Sequence, residues 1–175
     1  MMTIEELKTL VRDVPDFPQK GIIFKDITTM LKNKDGLHLA AKLLSEQYAD
    51  KGITKVVGIE SRGFIMGPIV AEKIGAGFVP IRKPGKLPAD TVSESYTKEY
   101  GVDTIEIHTD AINENDVVLL HDDLLATGGT MYAAYLLAKR FNPKKIYVSF
   151  IAELEFLNGR KLFPADVEID ALIKY

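Results

Sequence analysis

Residues 117–130 read VVLLHDDLLATGGT. Four aliphatic residues in a row describe a strand covered on both faces. Two carboxylates follow almost at once, and then a glycine pair, Gly128 and Gly129, flanked by Thr127 and Thr130. Glycines there let backbone amides approach an anion. A helix predicted from about Gly129 to Arg140 adds unpaired N–H groups and the positive end of its dipole, so the turn from Ala126 to Thr130 is suited to a phosphate. It is not a Walker loop, because no GxxxxGK[ST] occurs and no lysine follows the glycines. Carboxylates repel phosphate. Asp122 and Asp123 therefore make sense if the ligand also presents hydroxyl donors or a magnesium ion close to its phosphate, and a ribose 5-phosphate does so. Adjacent strand residues point to opposite faces, so both acids can serve one sugar only where regular strand geometry ends.

The rest of the chain supports an α/β reading. At 175 residues it suits a single domain, 1–175, with a substantial core. Apolar residues make up 46% and charged residues 27%, the proportions of an ordinary globular protein. A net charge of −3 gives no basic field for nucleic acid or an anionic membrane, so neither is expected as a partner. The absence of cysteine excludes disulfides, thiol chemistry and Cys-ligated zinc. His38, His108 and His121 lack the spacing of a transition-metal site. No apolar run approaches the length of a membrane span and the start is not leader-like, so a cytoplasmic location is expected.

Thr3 and Glu6 form a capping-box pattern at the start of a first helix, which Pro15 and Pro18 end. Leu37, Ala40, Ala41, Leu44 and Tyr48 recur at helical spacing. Residues 55–60 and 77–82 read as strands around a helix at 63–74, with Pro80 marking an edge or an irregularity. Residues 83–98, with two prolines and many polar side chains, read as a long exposed loop of the kind that covers a site. A half-exposed strand at 104–108, the strand at 117–121, the helix at 129–140 and a strand at 145–152 follow. The alternation predicts a mostly parallel sheet flanked by helices, with ligands at the carboxyl ends of its strands.

Three further segments carry chemistry. Residues 58–64, GIESRGF, place Ser-Arg-Gly at a helix start, a second anion site with Arg62 as a charge-assisted donor. Residues 82–88, RKPGKLP, concentrate Arg82, Lys83 and Lys86 in a proline-stiffened turn suited to pyrophosphate. Residues 16–28, DFPQKGIIFKDIT, lead through a Pro/Gly turn to Phe24, set between Ile23 and Lys25.

With these motifs in order, the chain resembles the phosphoribosyltransferases of the type I fold, and most closely their adenine phosphoribosyltransferase branch, for which DDLLATGGTM is the typical form. His121 stands where an aliphatic residue is usual and reads as a strand-end histidine bonded to a neighbour. The resemblance implies an N-terminal base-binding hood at about 1–34, a core at 35–153 with a flexible lid loop, and a C-terminal extension of the core at 154–175. It implies transfer of the 5-phosphoribosyl group from PRPP to adenine, giving AMP and pyrophosphate. Another purine base, or a non-catalytic PRPP-sensing regulator, is the alternative.

By the same resemblance the base stacks on Phe24 and is read by the backbones of Ile23 and Lys25. An oxopurine there would set acceptor against acceptor, at a cost on the order of 1–3 kcal/mol. Asp122 and Asp123 take the ribose, and Ala126, Thr127, Gly128, Gly129 and Thr130 the phosphate. Arg62, Arg82 and Lys86 take the pyrophosphate, Glu99 handles the purine proton, and Tyr100 shields the site. Mg²⁺ is implied as cofactor, bound through PRPP and water rather than by protein ligands, and the assembly implied is a homodimer.

Overall fold

A computed structural model of the chain describes residues 2–98 and 101–175. Helix α1 (Ile4–Thr9) begins with the expected capping box: Glu6 N donates to Thr3 Oγ1 at 3.2 Å and Thr3 N donates to Glu6 Oε2 at 2.8 Å. Strands β1 (Arg12–Pro15) and β2 (Ile23–Asp26) then form an antiparallel ladder with Val14 opposite Phe24. Asp26 closes it, accepting from Thr28 N at 2.9 Å and pairing with Arg12. Hydrogen bonds from Thr28, ahead of the Arg12 contact, hold the Asp26 carboxyl down at about 2. The helical turn α2 (Thr28–Leu31) leads to α3 (Lys34–Tyr48), whose N-cap Asn33 accepts from Asp35 N and Gly36 N, both at 3.0 Å.

The core then alternates: β3 (Lys55–Ile59), α4 (Gly63–Ile74), β4 (Gly77–Ile81), the hairpin β5 (Thr91–Lys98) and β6 (Gly101–His108), β7 (Val117–Leu125), α5 (Gly129–Lys139), β8 (Lys145–Glu153) and β9 (Glu168–Lys174). Five strands form a parallel sheet in the order β4-β3-β7-β8-β9. Pro80 lies on the edge strand β4, where a missing N–H costs no ladder bond. One face packs Val56, Leu119 and Ile151 against α1, α3 and α4, and residues of the β1–α2 segment join that same cluster. The other packs Val57, Leu120 and Phe150 beneath α5 and the β5–β6 hairpin. Among the described residues no helix is long and apolar enough to cross a membrane.

Two elements differ from the sequence expectation. Residues 83–98 are not loop throughout, because 91–98 form β5, paired residue by residue with β6. TVSESYT alternates after all: Val92 and Tyr96 turn inward onto the core while Ser93, Ser95 and Thr97 stay exposed. The prolines at 84 and 88 mask that signal. Strand β9 lies in a segment with no assigned element, although Ile169, Ala171 and Ile173 recur every second residue.

The segment after β8 supports the 126–130 turn from behind. A Cβ on Gly128 would stand 2.6 Å from the Gly159 carbonyl oxygen, and one on Gly159 would stand 2.5 Å from that of Ala126. Arg160 pins this contact by donating from Nε and Nη2 to both Glu153 oxygens at 2.6 Å. Gly159→Ala forces two backbones apart and is expected to cost about 1–3 kcal/mol by overpacking. That corresponds to a melting temperature lower by roughly 2–10 °C, and an unchanged melting curve would show that the turn yields freely.

His121 is buried on the α3/α4 side of the sheet, Nδ1 at 2.7 Å from Ser149 Oγ, with no hydrogen-bond partner for Nε2 among the described residues. Burial pulls its pKa down to about 4. The unfolded chain, with histidine near 6.5, binds this proton first, so stability is intact above that value and drains as pH falls towards 4. The loss attributable to His121 is roughly 3 kcal/mol when complete. The double variant His121→Val with Ser149→Ala is expected to flatten the decline in melting temperature between pH 6.5 and 4. An equally steep decline would assign it to other groups.

Candidate active site

A cleft of about 270 Å³ opens at the carboxyl ends of β3, β4 and β7, under the β5–β6 hairpin. The loop after β3, the loop after β4, the acids of β7 and the first turn of α5 form its walls. Asp122 and Asp123 both reach it, although the strand runs on to Leu125. Side-chain alternation slips at the acids. Val118 and Leu120 face α5 while Val117 and Leu119 face α3 and α4, yet beyond the pair Leu124 joins the second set and Leu125 the first. Such local irregularity re-aims side chains at the end of a strand.

The two acids have different surroundings. Asp123, only 3% exposed, receives Arg62 Nε on Oδ2. Asp122 accepts from Asp123 N at 2.9 Å through Oδ1. Burial first, and then the adjacent Asp123 charge, push the Asp122 carboxyl well above the usual carboxylate range. Gly63 allows α4 to start this close, because a Cβ there would stand 2.7 Å from the His121 carbonyl oxygen.

Arg62 links two parts of the molecule. Its guanidinium carbon lies 5.0 Å from the centroid of the Phe24 ring while its Nε holds Asp123. Phe17 meets the same ring edge-on at 5.1 Å. Lys25 turns its ammonium away, to Asp13 at 2.6 Å and over the Tyr175 ring at 3.9 Å, so its backbone is the part left for a ligand. Ile23 and Lys25, two apart on β2, direct their backbone groups to the same edge.

The remaining predicted cations separate. Arg82 lines the cleft but is held by Glu60 through two bonds, Nη2 to Oε1 at 2.9 Å and Nε to Oε2 at 3.2 Å. Lys83 N adds a third bond to Glu60 at 3.1 Å, and these contacts, Arg82 foremost, hold the Glu60 carboxyl low. Lys83 lines the cleft and pairs with Asp103, whereas Lys86 is exposed and outside the lining. In the 126–130 turn, Gly128 adopts φ +86°, a conformation that favours glycine, and no side chain among the described residues caps α5. Thr130 Oγ1 faces the cleft, Ala126 and Gly129 are part-buried, and Thr127 is exposed. Glu99 and Tyr100 lie outside the described residues.

Sequence reasoning passed over Glu60, Tyr96 and Asp103, and named Lys83 only as one of the three cations of RKPGKLP. Glu60 was visible in GIESRGF, directly before the anion loop, and Tyr96 in the alternation of TVSESYT. Nothing local in the sequence marks Asp103, because its partners come from the other strand and from the loop after β4.

Residues 26–155 match the phosphoribosyl transferase domain. An adenine phosphoribosyltransferase of Bacteroides fragilis is 62% identical over 170 residues, spanning 97% of this chain and 96% of that relative. The crystal structure of adenine phosphoribosyltransferase from Rhodothermus marinus is 50% identical, superposes with a TM-score of 0.92 and covers 98% of both chains. The Giardia lamblia APRTase complexed with 9-deazaadenine is 42% identical with a TM-score of 0.95, covering 100% of this chain and 99% of that one. The chain belongs to the adenine phosphoribosyltransferase family.

Proposed function

We propose that the protein transfers the 5-phosphoribosyl group of PRPP to adenine, releasing AMP and pyrophosphate. The observation that carries this reading is the position of Arg62, between the Phe24 ring and the Asp123 carboxylate. An aromatic face for a base and an acid for a sugar thus lie on either side of one cation, beside a turn built for phosphate. The Giardia relative, crystallised with 9-deazaadenine, gives the base. Adenine stacks on Phe24 and is read from the open edge of β2. Ile23 and Lys25, whose backbone groups share one edge of β2, present donor and acceptor there.

In the reaction the C1–O bond of PRPP breaks, pyrophosphate leaves with the electron pair, and adenine N9 bonds to C1. The N9 proton passes to Glu99, with Tyr100 excluding water. Residues 126–130 hold the 5-phosphate, and Asp122 and Asp123 hold the ribose hydroxyls. Burial and the adjacent Asp123 push Asp122 towards its neutral form, and Asp123, held by Arg62, stands beside a sugar centre that becomes positive. Arg62, Arg82 and Lys83, which line the cleft, receive the pyrophosphate charge, and Lys86, outside the lining, is left out of that role.

Among the described residues no three acids or histidines gather to cage a metal. Mg²⁺ fits this site as an ion that would be held through PRPP and water rather than by protein ligands. When bound it supplies charge neutralisation to the diphosphate. The same reading includes a homodimer and a cytoplasmic location.

AMP formation from adenine and PRPP, followed with and without Mg²⁺, is expected with adenine and far weaker with hypoxanthine or guanine. Equal use of an oxopurine would overturn the base assignment. Asp123→Asn is expected to lower kcat by about 10²–10³ with the fold intact by circular dichroism. Wild-type turnover in that variant would remove the ribose assignment.

A further inference from the structure

A chain of hydrogen bonds crosses the cleft. Thr130 Oγ1 donates to Tyr96 Oη at 2.9 Å, and Tyr96 Oη donates to Asp103 Oδ2 at 3.1 Å. The same Asp103 oxygen holds the Lys83 ammonium. The bonds run from the first turn of α5, through both strands of the hairpin, to the loop after β4. Thr130, Tyr96 and Lys83 all line the cleft. The Tyr96 ring lies over the turn itself, where a Cβ on Gly129 would meet its Cδ2 at 3.5 Å.

The polarity of this chain has a consequence for any phosphate in the turn. A hydroxyl has one proton to donate. A phosphate monoester above its second pKa, near 6, is an acceptor only. Three bonds would then be wanted: Thr130 to phosphate, one between Thr130 and Tyr96, and Tyr96 to Asp103. They require three protons, and the two hydroxyls carry two. Binding therefore breaks one link. Either Tyr96 loses the Thr130 donor, or it turns its own proton to Thr130 and Asp103 loses the phenol. The first outcome loosens the contact between the hairpin and α5; the second opens a bond between β5 and β6 within the hairpin and alters the partner of Lys83.

We propose that Tyr96 is a positioning residue that ties occupancy of the phosphate turn to the seating of the β5–β6 hairpin. The proposal rests on the reading of residues 126–130 as the 5-phosphate site. It makes the hairpin responsive to a phosphate monoester alone, before any base or pyrophosphate is present.

The test is hydrogen exchange by mass spectrometry on the full chain, with and without ribose 5-phosphate, alongside calorimetric titration of ribose 5-phosphate into wild type and Tyr96→Phe. Ribose 5-phosphate is expected to change amide exchange in 91–98 and 101–108 of the wild type and to leave those segments unmoved in the variant. Because Tyr96→Phe removes the competing acceptor, the variant is expected to bind ribose 5-phosphate about three- to tenfold more tightly. Unchanged or weaker binding in a variant with a wild-type melting curve would overturn the proposal. So would bound ribose 5-phosphate that leaves wild-type hairpin exchange unaltered, an outcome that leaves the phosphoribosyl-transfer reading standing. Failure of wild type to bind ribose 5-phosphate would remove the phosphate-turn assignment and this coupling with it. The wild-type exchange measurement does not depend on the variant folding.

Discussion

Two adjacent carboxylates are buried at the end of the central strand, and most of the site follows from what makes that tolerable. Neighbouring like charges in a low-dielectric setting cannot both ionise freely, so one acid shifts towards its neutral form and the other takes a cation. Here Asp122 shifts and Asp123 takes Arg62. Arg62 must then sit at the first turn of α4, which is possible because Gly63 lets that helix approach the β7 backbone. The slip in alternation at the acids aims both into one cleft rather than to opposite faces of the sheet. A ligand with hydroxyl donors and one developing positive centre is the chemical complement of this arrangement.

The parts legible in the sequence were those whose cause is local. The capping box of α1, the apolar spacing of α3, the alternation of strands and helices, and the glycines of the 126–130 turn each state their structure within a few residues. Less legible were features whose cause lies across the fold. Arg82 reads as a free cation in RKPGKLP, but Glu60 from a different strand end occupies it. Lys83 and Lys86 look equivalent three residues apart, and only the path of the loop puts one of them in the cleft. The hairpin strand β5 was hidden because its exposed face is polar and prolines precede it. His121 was read correctly as bonded to a neighbour, Ser149, but it lies in the middle of β7 rather than at its end, and the lack of a partner for its Nε2 among the described residues depends on packing that no local pattern encodes.

The second layer of the site is backbone rather than side chain. Gly128 against Gly159, and Gly63 against the His121 carbonyl, are contacts in which an added methyl would collide with a main-chain oxygen. Main-chain groups have few alternative positions in a packed interior, so these contacts fix the anion-binding turns more firmly than flexible side chains would. The turns proposed to bind anions are held by backbone contacts where they meet the sheet, and adaptability is left to hydroxyls, whose protons turn at little cost.

The placement of Arg62 between ring and acid also bears on how such a protein changes over generations. On the proposed reading, a substitution at Phe24 that suited a different base would alter the seating of Arg62, and through it the charge balance of Asp123 at the sugar. Base preference and sugar chemistry are thus linked traits, inherited through one guanidinium.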